Sequence, residues 1–411
     1  MTSATDRAKP DGELGARWAM VGAGAALIGS CYGLARFAYG LFTLEFAREF
    51  TINPTVSGVI GAGSYAGYCV AIVASLMLTP RWGPRRVAVL AGVVATVGMS
   101  VVAVAPSAPV LAAGILIAGS STGIASPPMA AAVGAWVRES SRDRAQTLVN
   151  AGTGLGVLIS GPAALVLLDQ WRWAWAAFAV LAAGVTFWVH ITLPAGTGNH
   201  SRPDPVASPN GPPVGRDRGG RSLTPRWFLP GTTRLAIASF LMGLSSIAVW
   251  TFGRDLITSH GDATTVVSAL TWTTLGASGV LGAIGGDLVQ RLGLPTSWTV
   301  LMLTLAAGTA LFAIAPSTTP VVLAGAALFG ASYIALTGLV LLWSTHLYPD
   351  RTSFGVGLAF FTIAAGQAIG ALLVGRLTES IDTTTVFYTW ALLATLGAAL
   401  RPPARHAPST R

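Results

Sequence analysis

The sequence predicts an all-α integral membrane protein of twelve transmembrane helices in two six-helix repeats, with both termini cytoplasmic. Three observations lead there. Of the 411 residues 52% are hydrophobic and 10% charged, at a mean hydropathy of +0.63, whereas a soluble chain carries about 25% charged residues. Apolar runs of the ~20 residues needed to cross a bilayer recur along almost the whole length. Motifs of the first half also return in the second at a near-constant offset.

In order, the chain divides into a tail over 1–17, a six-helix half over 18–193, a linker over 194–231, a second six-helix half over 232–400 and a tail over 401–411. The first half holds spans at 18–43, 55–78, 87–105, 109–137, 146–168 and 172–193. The second holds spans at 232–256, 264–289, 297–315, 320–346, 353–376 and 384–400. Arg7, Lys9 and Arg17 ahead of the first span resemble a signal peptide, but the apolar run exceeds the usual ~7–15-residue core, so it reads as uncleaved. The linker carries Pro203, Pro205, Pro209, Pro212, Pro213, Pro225 and Pro230 among Gly, Ser and Arg. Such a composition cannot bury a core and is expected to be disordered.

Basic residues set the orientation. With a cytoplasmic N-terminus, only Arg36, Arg48, Arg172, Arg254 and Arg376 fall outside cytoplasmic segments, as the positive-inside rule requires. The net charge of +9 therefore reflects topology, not nucleic-acid binding. A single lysine, Lys9, among 25 basic residues points to a GC-rich bacterial genome and hence a bacterial inner membrane. Cys31 and Cys69 both lie in apolar spans and read as small core residues.

The repeat is explicit. Arg81-Trp82-Gly83 returns as Arg291-Leu292-Gly293, Ala105-Pro106-Ser107 as Ala315-Pro316-Ser317, and Pro109, Gly114 and Gly119 as Pro320, Gly325 and Gly330. Parallel repeats are the plan of one class of secondary transporter. Arg81-Trp82-Gly83-Pro84-Arg85-Arg86, with its repeat Gly286 and Gln290-Arg291-Leu292-Gly293, resembles the signature between helices 2 and 3 of the major facilitator superfamily. Pro80 and Gln290 stand where that signature has Asp, and Leu76 replaces its first-half Gly, so the family's cytoplasmic charge relay is not expected intact.

The resemblance covers about residues 18–400. It implies gating roles for Arg81, Gly83, Arg85, Arg86, Arg291 and Gly293, a cavity lined by helices 1, 4, 7 and 10, and halves that rock on helices 2, 5, 8 and 11. Arg36-Phe37-Ala38-Tyr39, Gly161-Pro162 and Gly366-Gln367-Ala368-Ile369-Gly370 are similar to the bacterial YbfB/YjiJ-like branch, while Gly152, Gly154, Gly156 and Gly161-Pro162 partly resemble a drug-antiporter signature. G-x-x-x-G pairs, which let backbones approach, fall at Gly63/Gly67, Gly152/Gly156, Gly282/Gly286 and Gly366/Gly370. Gly366 and Gly370 from these pairs, and Gly161 and Pro162 from the resemblance, join the expected gating positions.

At ~100° per residue, Gly29, Tyr32, Gly33, Arg36, Tyr39, Gly40 and Thr43 share one side of the first helix. An arginine at that depth marks a functional position. With other polar groups inside spans, the cavity candidates are Arg36, Tyr32, Tyr39, Ser121, Trp250, Ser332, Tyr333 and Gln367. None of the 16 acidic residues lies deep in a span; Glu45 and Asp287 come nearest and are the candidates for proton coupling. The partner of Arg36 is then a substrate anion, backbone carbonyls, or the outer interface reached by snorkelling.

Other chemistries lack their residues. A P-loop needs a lysine, and Lys9 stands alone in a tail, so ATP is not expected. The five histidines are scattered and no metal-binding motif occurs, so neither metal nor cofactor is expected. Gly119-Ser120-Ser121-Thr122-Gly123 fits G-x-S-x-G but lies inside one span, not on a strand-to-helix elbow. His190, the base an intramembrane serine protease would need, falls at a different depth. The expectation is a monomeric, non-enzymatic secondary active transporter of a small organic solute, an anionic group of which Arg36 would bind, working by alternating access in the bilayer with H+ coupling as the family default. A drug or metabolite efflux antiporter and a non-transporting membrane sensor are the alternatives.

Overall fold

The computed structural model describes residues 10–196, 229–260, 263–282 and 285–403, and the regular structure among them is helical throughout. The first group of helices is α1 (Trp18–Phe50), α2 (Pro54–Trp82), α3 (Pro84–Ala103), α4 (Ala108–Trp136), α5 (Glu139–Leu167) and α6 (Trp171–Thr192). The second is α7 (Thr232–Ser259), α8 (Thr265–Leu281), α9 (Leu294–Ile314), α10 (Thr319–Leu347), α11 (Thr352–Leu377) and α12 (Thr383–Gly397). Ten of these are long and apolar enough to cross a membrane. The expected count of twelve depends on the other two. α8 has 17 residues and is followed by a separate short helix, Gly285–Leu292. α12 has 15 residues and gives way to turns before Leu400. The first span, conversely, runs well past residue 43 to Phe50. Residues 1–9, 197–228 and 404–411, which hold much of both tails and nearly all of the linker, lie outside the described residues.

Large apolar side chains face outward: Val70 and Met77 on α2, Val93 and Val97 on α3, Val180, Phe187 and Ile191 on α6. That surface suits a hydrocarbon solvent, in which only structures with internally satisfied backbones are stable. The chain is a multi-pass membrane protein.

Local chemistry sets the helix ends. Asn53 caps α2 by accepting from the Val56 amide, with Pro54 in the first turn, where a missing N–H costs nothing. At the other end of α2, Gly83 adopts φ 81°, ψ 157° before Pro84 opens α3. Gly293 adopts φ 76°, ψ 157° before α9, which has Pro295 in its first turn. The two loop motifs thus share one backbone conformation, reached at positive φ where glycine carries no Cβ penalty.

Packing repeats as well. In the first group α1 lies on α5, with Gly29 and Gly33 against Gly152 and Gly156, and α4 lies on α2, with Gly123 against the Tyr68 carbonyl. In the second, α7 lies on α11, with Gly243 against the Ile363 carbonyl, and α10 lies on α8, with Gly330 against the Leu275 carbonyl. Two antiparallel seams join the groups. Along α2/α11, Gly58 meets Ala371 and Gly375 at one end and Leu76 meets Gly357 at the other. Along α5/α8, Gly161 meets Ala269 and Thr273, and Gly154 meets Gly276 and Gly279.

One expectation changes here. The G-x-x-x-G pairs do not face those seams: Gly67 packs on α4, Gly152 and Gly156 on α1, Gly282 on α10, and Gly366 and Gly370 on α7. Gly366 and Gly370 therefore bind α11 to a helix of its own group, while the seam uses Gly58 and Gly375. The pattern records that backbones approach closely, but not which helix approaches. Gly161, in contrast, does sit on the α5/α8 seam.

Candidate functional site

Gly29–Phe37 forms a π-helical stretch within α1, in which the Ala38 amide reaches back five residues to the Gly33 carbonyl. Widened turns of this kind favour functional positions. Here the widening splits the face expected of a regular helix. Gly29 and Gly33 meet α5, Tyr32 and Arg36 point between the helix groups, and the Gly40 backbone lies against the Trp250 carbonyl. Tyr39 turns toward α2, its hydroxyl 3.0 Å from both the carbonyl and Oγ of Ser57.

Arg36 is 4% exposed, which removes snorkelling from the alternatives. Its Nη2 donates to Gln367 Oε1 on α11 at 2.9 Å. Aromatic rings surround the guanidinium carbon: Phe37 at 4.3 Å, Tyr65 at 4.9 Å, Tyr32 and Tyr68 at 5.1 Å. Gln367 Nε2 in turn donates to Tyr333 Oη at 3.1 Å and Ser246 Oγ at 3.3 Å. Tyr32 Oη lies 3.0 Å from Tyr68 Oη and 2.6 Å from Ser126 Oγ. Two guanidinium nitrogens, Nε and Nη1, are buried with no hydrogen-bond partner, and among the described residues no carboxylate pairs with Arg36. Cation–π contact supplies about 2 kcal/mol when desolvated, far less than a buried charge loses on leaving water. Among the described residues, therefore, no side-chain carboxylate offsets the guanidinium charge.

The cavity at this point measures about 10 Å³ and is lined by Tyr32, Arg36, Tyr68, Asn150, Tyr333 and Thr337 among others. That is room for about one water, so the site is closed. A second space of about 20 Å³, touching Ile28, Ser126, Gln146, Asn150, Leu341 and Phe360, lies toward the end of the bundle that carries Arg81 and Arg291, called here the basic end. Asn150 separates the two, donating to Thr337 Oγ1 at 2.9 Å and to the Ile334 carbonyl at 3.2 Å across the α5–α10 contact.

Toward the opposite, far end the closure is of another kind. Trp250 stacks on Phe37 with centroids 3.8 Å apart and meets Tyr333 edge-on at 5.2 Å. One step beyond, Arg254 of α7 grips Glu45 of α1 through both guanidinium ends, Nη2 to Oε1 at 2.8 Å and Nη1 to Oε2, and Nη1 also donates to the Leu41 carbonyl. Both side chains are buried.

The structure thus gathers Arg36, Tyr32, Tyr333 and Gln367 around one point, with Trp250 adjoining. Ser121 and Ser332 are buried but donate to carbonyls of their own helices, Ala118 and Leu328, both at 2.6 Å, a common role for hydroxyls inside spans. Arg81, Arg86 and Arg291 are exposed at the basic end, where Arg85 Nη2 lies 3.2 Å from His190 Nε2. Of the coupling candidates, Glu45 is the partner of Arg254, and the side chain of Asp287 lies outside the described residues. Phe37 and Ser246 adjoin the site as well, and Tyr65, Tyr68, Ser126 and Asn150 belong to it without having been expected from the sequence. A signal existed for three of them: tyrosines three apart in mid-span, away from the interfacial belts, and an amide inside α5.

The sequence model of the Major Facilitator Superfamily matches residues 25–362. Monocarboxylate transporter 11 of Mus musculus is 33% identical over 211 residues, 49% of this chain and 44% of that protein; the match thus spans less than half the relative's length. The nucleoside transporter NupG superposes with a TM-score of 0.70 at 13% identity, covering 94% of this chain and 98% of that one. The human organic anion transporter MFSD10 superposes at 0.66 and 18% identity, covering 96% and 100%. At such identities the superpositions speak for the fold alone.

Proposed function

The chain belongs to the major facilitator superfamily, and from that premise we propose a secondary active transporter that carries a small organic anion across a bacterial inner membrane by alternating access. It is a transporter and not an enzyme; the anion, the coupling and the compartment are the proposal. The observation that carries it is Arg36, buried where the two helix groups meet, with two guanidinium nitrogens unpartnered and, among the described residues, no carboxylate beside it. An arginine in hydrocarbon persists when it has a function to serve, and a substrate anion supplies the missing charge near the midplane, where this class of fold places its substrates.

Alternating access then runs along the seams α2/α11 and α5/α8, each lined by small residues along its length. With the basic end cytoplasmic, the far-end closure of Trp250, Glu45 and Arg254 faces outward and separates first on the outward-facing branch of the cycle. H+ coupling is assigned to Glu45: a protonated carboxyl would release Arg254 and loosen α1 from α7. The name of the matched Mus musculus relative agrees with an organic acid as cargo.

Counterflow of labelled solutes in proteoliposomes tests the reading. Exchange of at least one carboxylate, with none for organic amines, is expected. Exchange confined to bulky cations would replace it with drug efflux, and no exchange for any solute would leave a sensor.

A further inference from the structure

We infer that Gln367 is a stand-in for the substrate's carboxylate, and that the site takes a solute bearing one negative charge. The inference rests on the organic-anion reading above and narrows it. Its starting point is what the Arg36 guanidinium actually touches. Every neighbour is neutral: four aromatic rings and one amide oxygen, Gln367 Oε1 at 2.9 Å. An amide oxygen has the shape and acceptor geometry of a carboxylate oxygen without its charge. It keeps Nη2 satisfied while leaving the guanidinium charge uncompensated.

The amide is itself held ready to be displaced. Gln367 Nε2 is shared between Tyr333 Oη at 3.1 Å and Ser246 Oγ at 3.3 Å, both helices of the second group. Arg36 belongs to the first group, so the Arg36–Gln367 hydrogen bond crosses from one group to the other inside a space of about 10 Å³. A solute can enter only if this bond opens. A carboxylate that takes Arg36 exchanges a neutral acceptor for one that also compensates the guanidinium charge and can bind it bidentately, and it frees Gln367 to donate to the solute from the other side. The substrate then replaces the amide as the bridge between the groups.

The charge count sets the class. Among the described residues lining the cavity Arg36 is the one ionisable group of fixed charge, and the remaining linings are tyrosines, aliphatics, Phe360, Asn150 and hydroxyls. The next cation, Arg254, is already neutralised by Glu45. One carboxylate balances the site. A second would enter low-dielectric surroundings with no partner, at a cost no neighbouring group offsets.

The test uses the purified full chain in nanodiscs, with ligand-induced shifts of thermal unfolding read for benzoate and lactate as monoanions, phthalate and succinate as dianions, benzamide as the neutral isostere and benzylamine as the cation. Wild type is expected to be stabilised by a monoanion and not by the dianion or amide of the same framework. Gln367→Glu places a fixed carboxylate on Arg36 and is expected to weaken monoanion binding by about a hundredfold while improving benzamide relative to benzoate, because a charge pair already formed excludes a second anion. Gln367→Ala removes the amide but leaves Arg36 available, and is expected to weaken the monoanion by about tenfold or less. Equal losses in the two variants, or a Gln367→Glu protein that still prefers benzoate, would overturn the stand-in role while leaving the anion reading intact. Preference of wild type for the dianions would overturn the single-charge assignment alone. A wild type that ignores every anion would remove both the inference and the reading beneath it.

Discussion

The two ends of the central site are closed by different physics. At the far end, α1 and α7 meet through a bidentate ion pair, a stacked Phe37–Trp250 pair, and a backbone contact so close that a Cβ on Gly40 would collide with the Trp250 carbonyl oxygen. At the basic end, the side-chain hydrogen bonds across the α5–α10 contact come from one neutral amide, Asn150, and a second small space lies beside it. Removing either charge from the first closure leaves the other buried and unpaired, which is costly. Neutral hydrogen bonds, each worth about 0.5–1.5 kcal/mol net, make the second easy to open. The two closures thus differ in chemistry: a charge pair with a backbone contact at the far end, and a neutral amide at the basic end.

The sharpest way to break this asymmetry is Gly40→Val. Its side chain cannot share space with a backbone carbonyl, so α1 and α7 must part. The far end should stand open, with transport abolished and an engineered Thr251→Cys, in a chain with Cys31 and Cys69 replaced by Ser, labelled rapidly by a water-soluble maleimide.

Glu45→Gln is next in size. It leaves the Arg254 guanidinium buried without its counter-charge, a loss of about 3–5 kcal/mol for the closed far end. Labelling of Thr251→Cys should rise, and H+-driven accumulation should vanish while solute counterflow persists. The exchanged pair Glu45→Arg with Arg254→Glu should recover part of the closure; no recovery would mean that the carbonyl contact to Leu41, and not the ion pair, holds this end.

Asn150→Ala should act at the other end and more weakly, by about 1–3 kcal/mol for its two hydrogen bonds, raising maleimide labelling of Leu341→Cys but not of Thr251→Cys. An effect of Asn150→Ala at the far end equal to that of Glu45→Gln would erase the contrast between the closures. The smallest change is expected from Tyr39→Phe, which removes a hydroxyl bound to Ser57, at about 1 kcal/mol of stability, and leaves solute affinity unaltered because that ring points away from the cavity.

Much of this was legible in the sequence, for reasons that also explain the rest. Hydropathy located the helices because every span must satisfy its own backbone in lipid, and the shared glycine turns at Gly83 and Gly293 were visible as repeated motifs. Arg36 and Gln367 stood out because polar groups inside spans are costly. Their hydrogen bond was not legible, since it joins positions on helices far apart in the chain. The same holds for Glu45 and Arg254: each was noticed separately, and only packing of α1 on α7 pairs them. The π-helical stretch left no trace in the residue pattern. A regular 100° face therefore put Tyr39 in the cavity and kept Gly29 and Gly33 beside Arg36, whereas the widened turns send these residues to α2 and α5. Likewise the G-x-x-x-G pairs gave close approach but not the partner, so Gly366 and Gly370 were assigned to a seam they do not touch.

The central claim is that Arg36 is the anion-binding group between two unequal closures, and one measurement bears on it most directly. Counterflow of a labelled monocarboxylate in proteoliposomes should be compared between wild type and Arg36→Gln, with thermal unfolding of both proteins as a check on folding. The account predicts a folded Arg36→Gln protein whose exchange falls by an amount equivalent to about 2–5 kcal/mol of lost binding. A folded Arg36→Gln protein that exchanges the same carboxylate at the wild-type rate would contradict it.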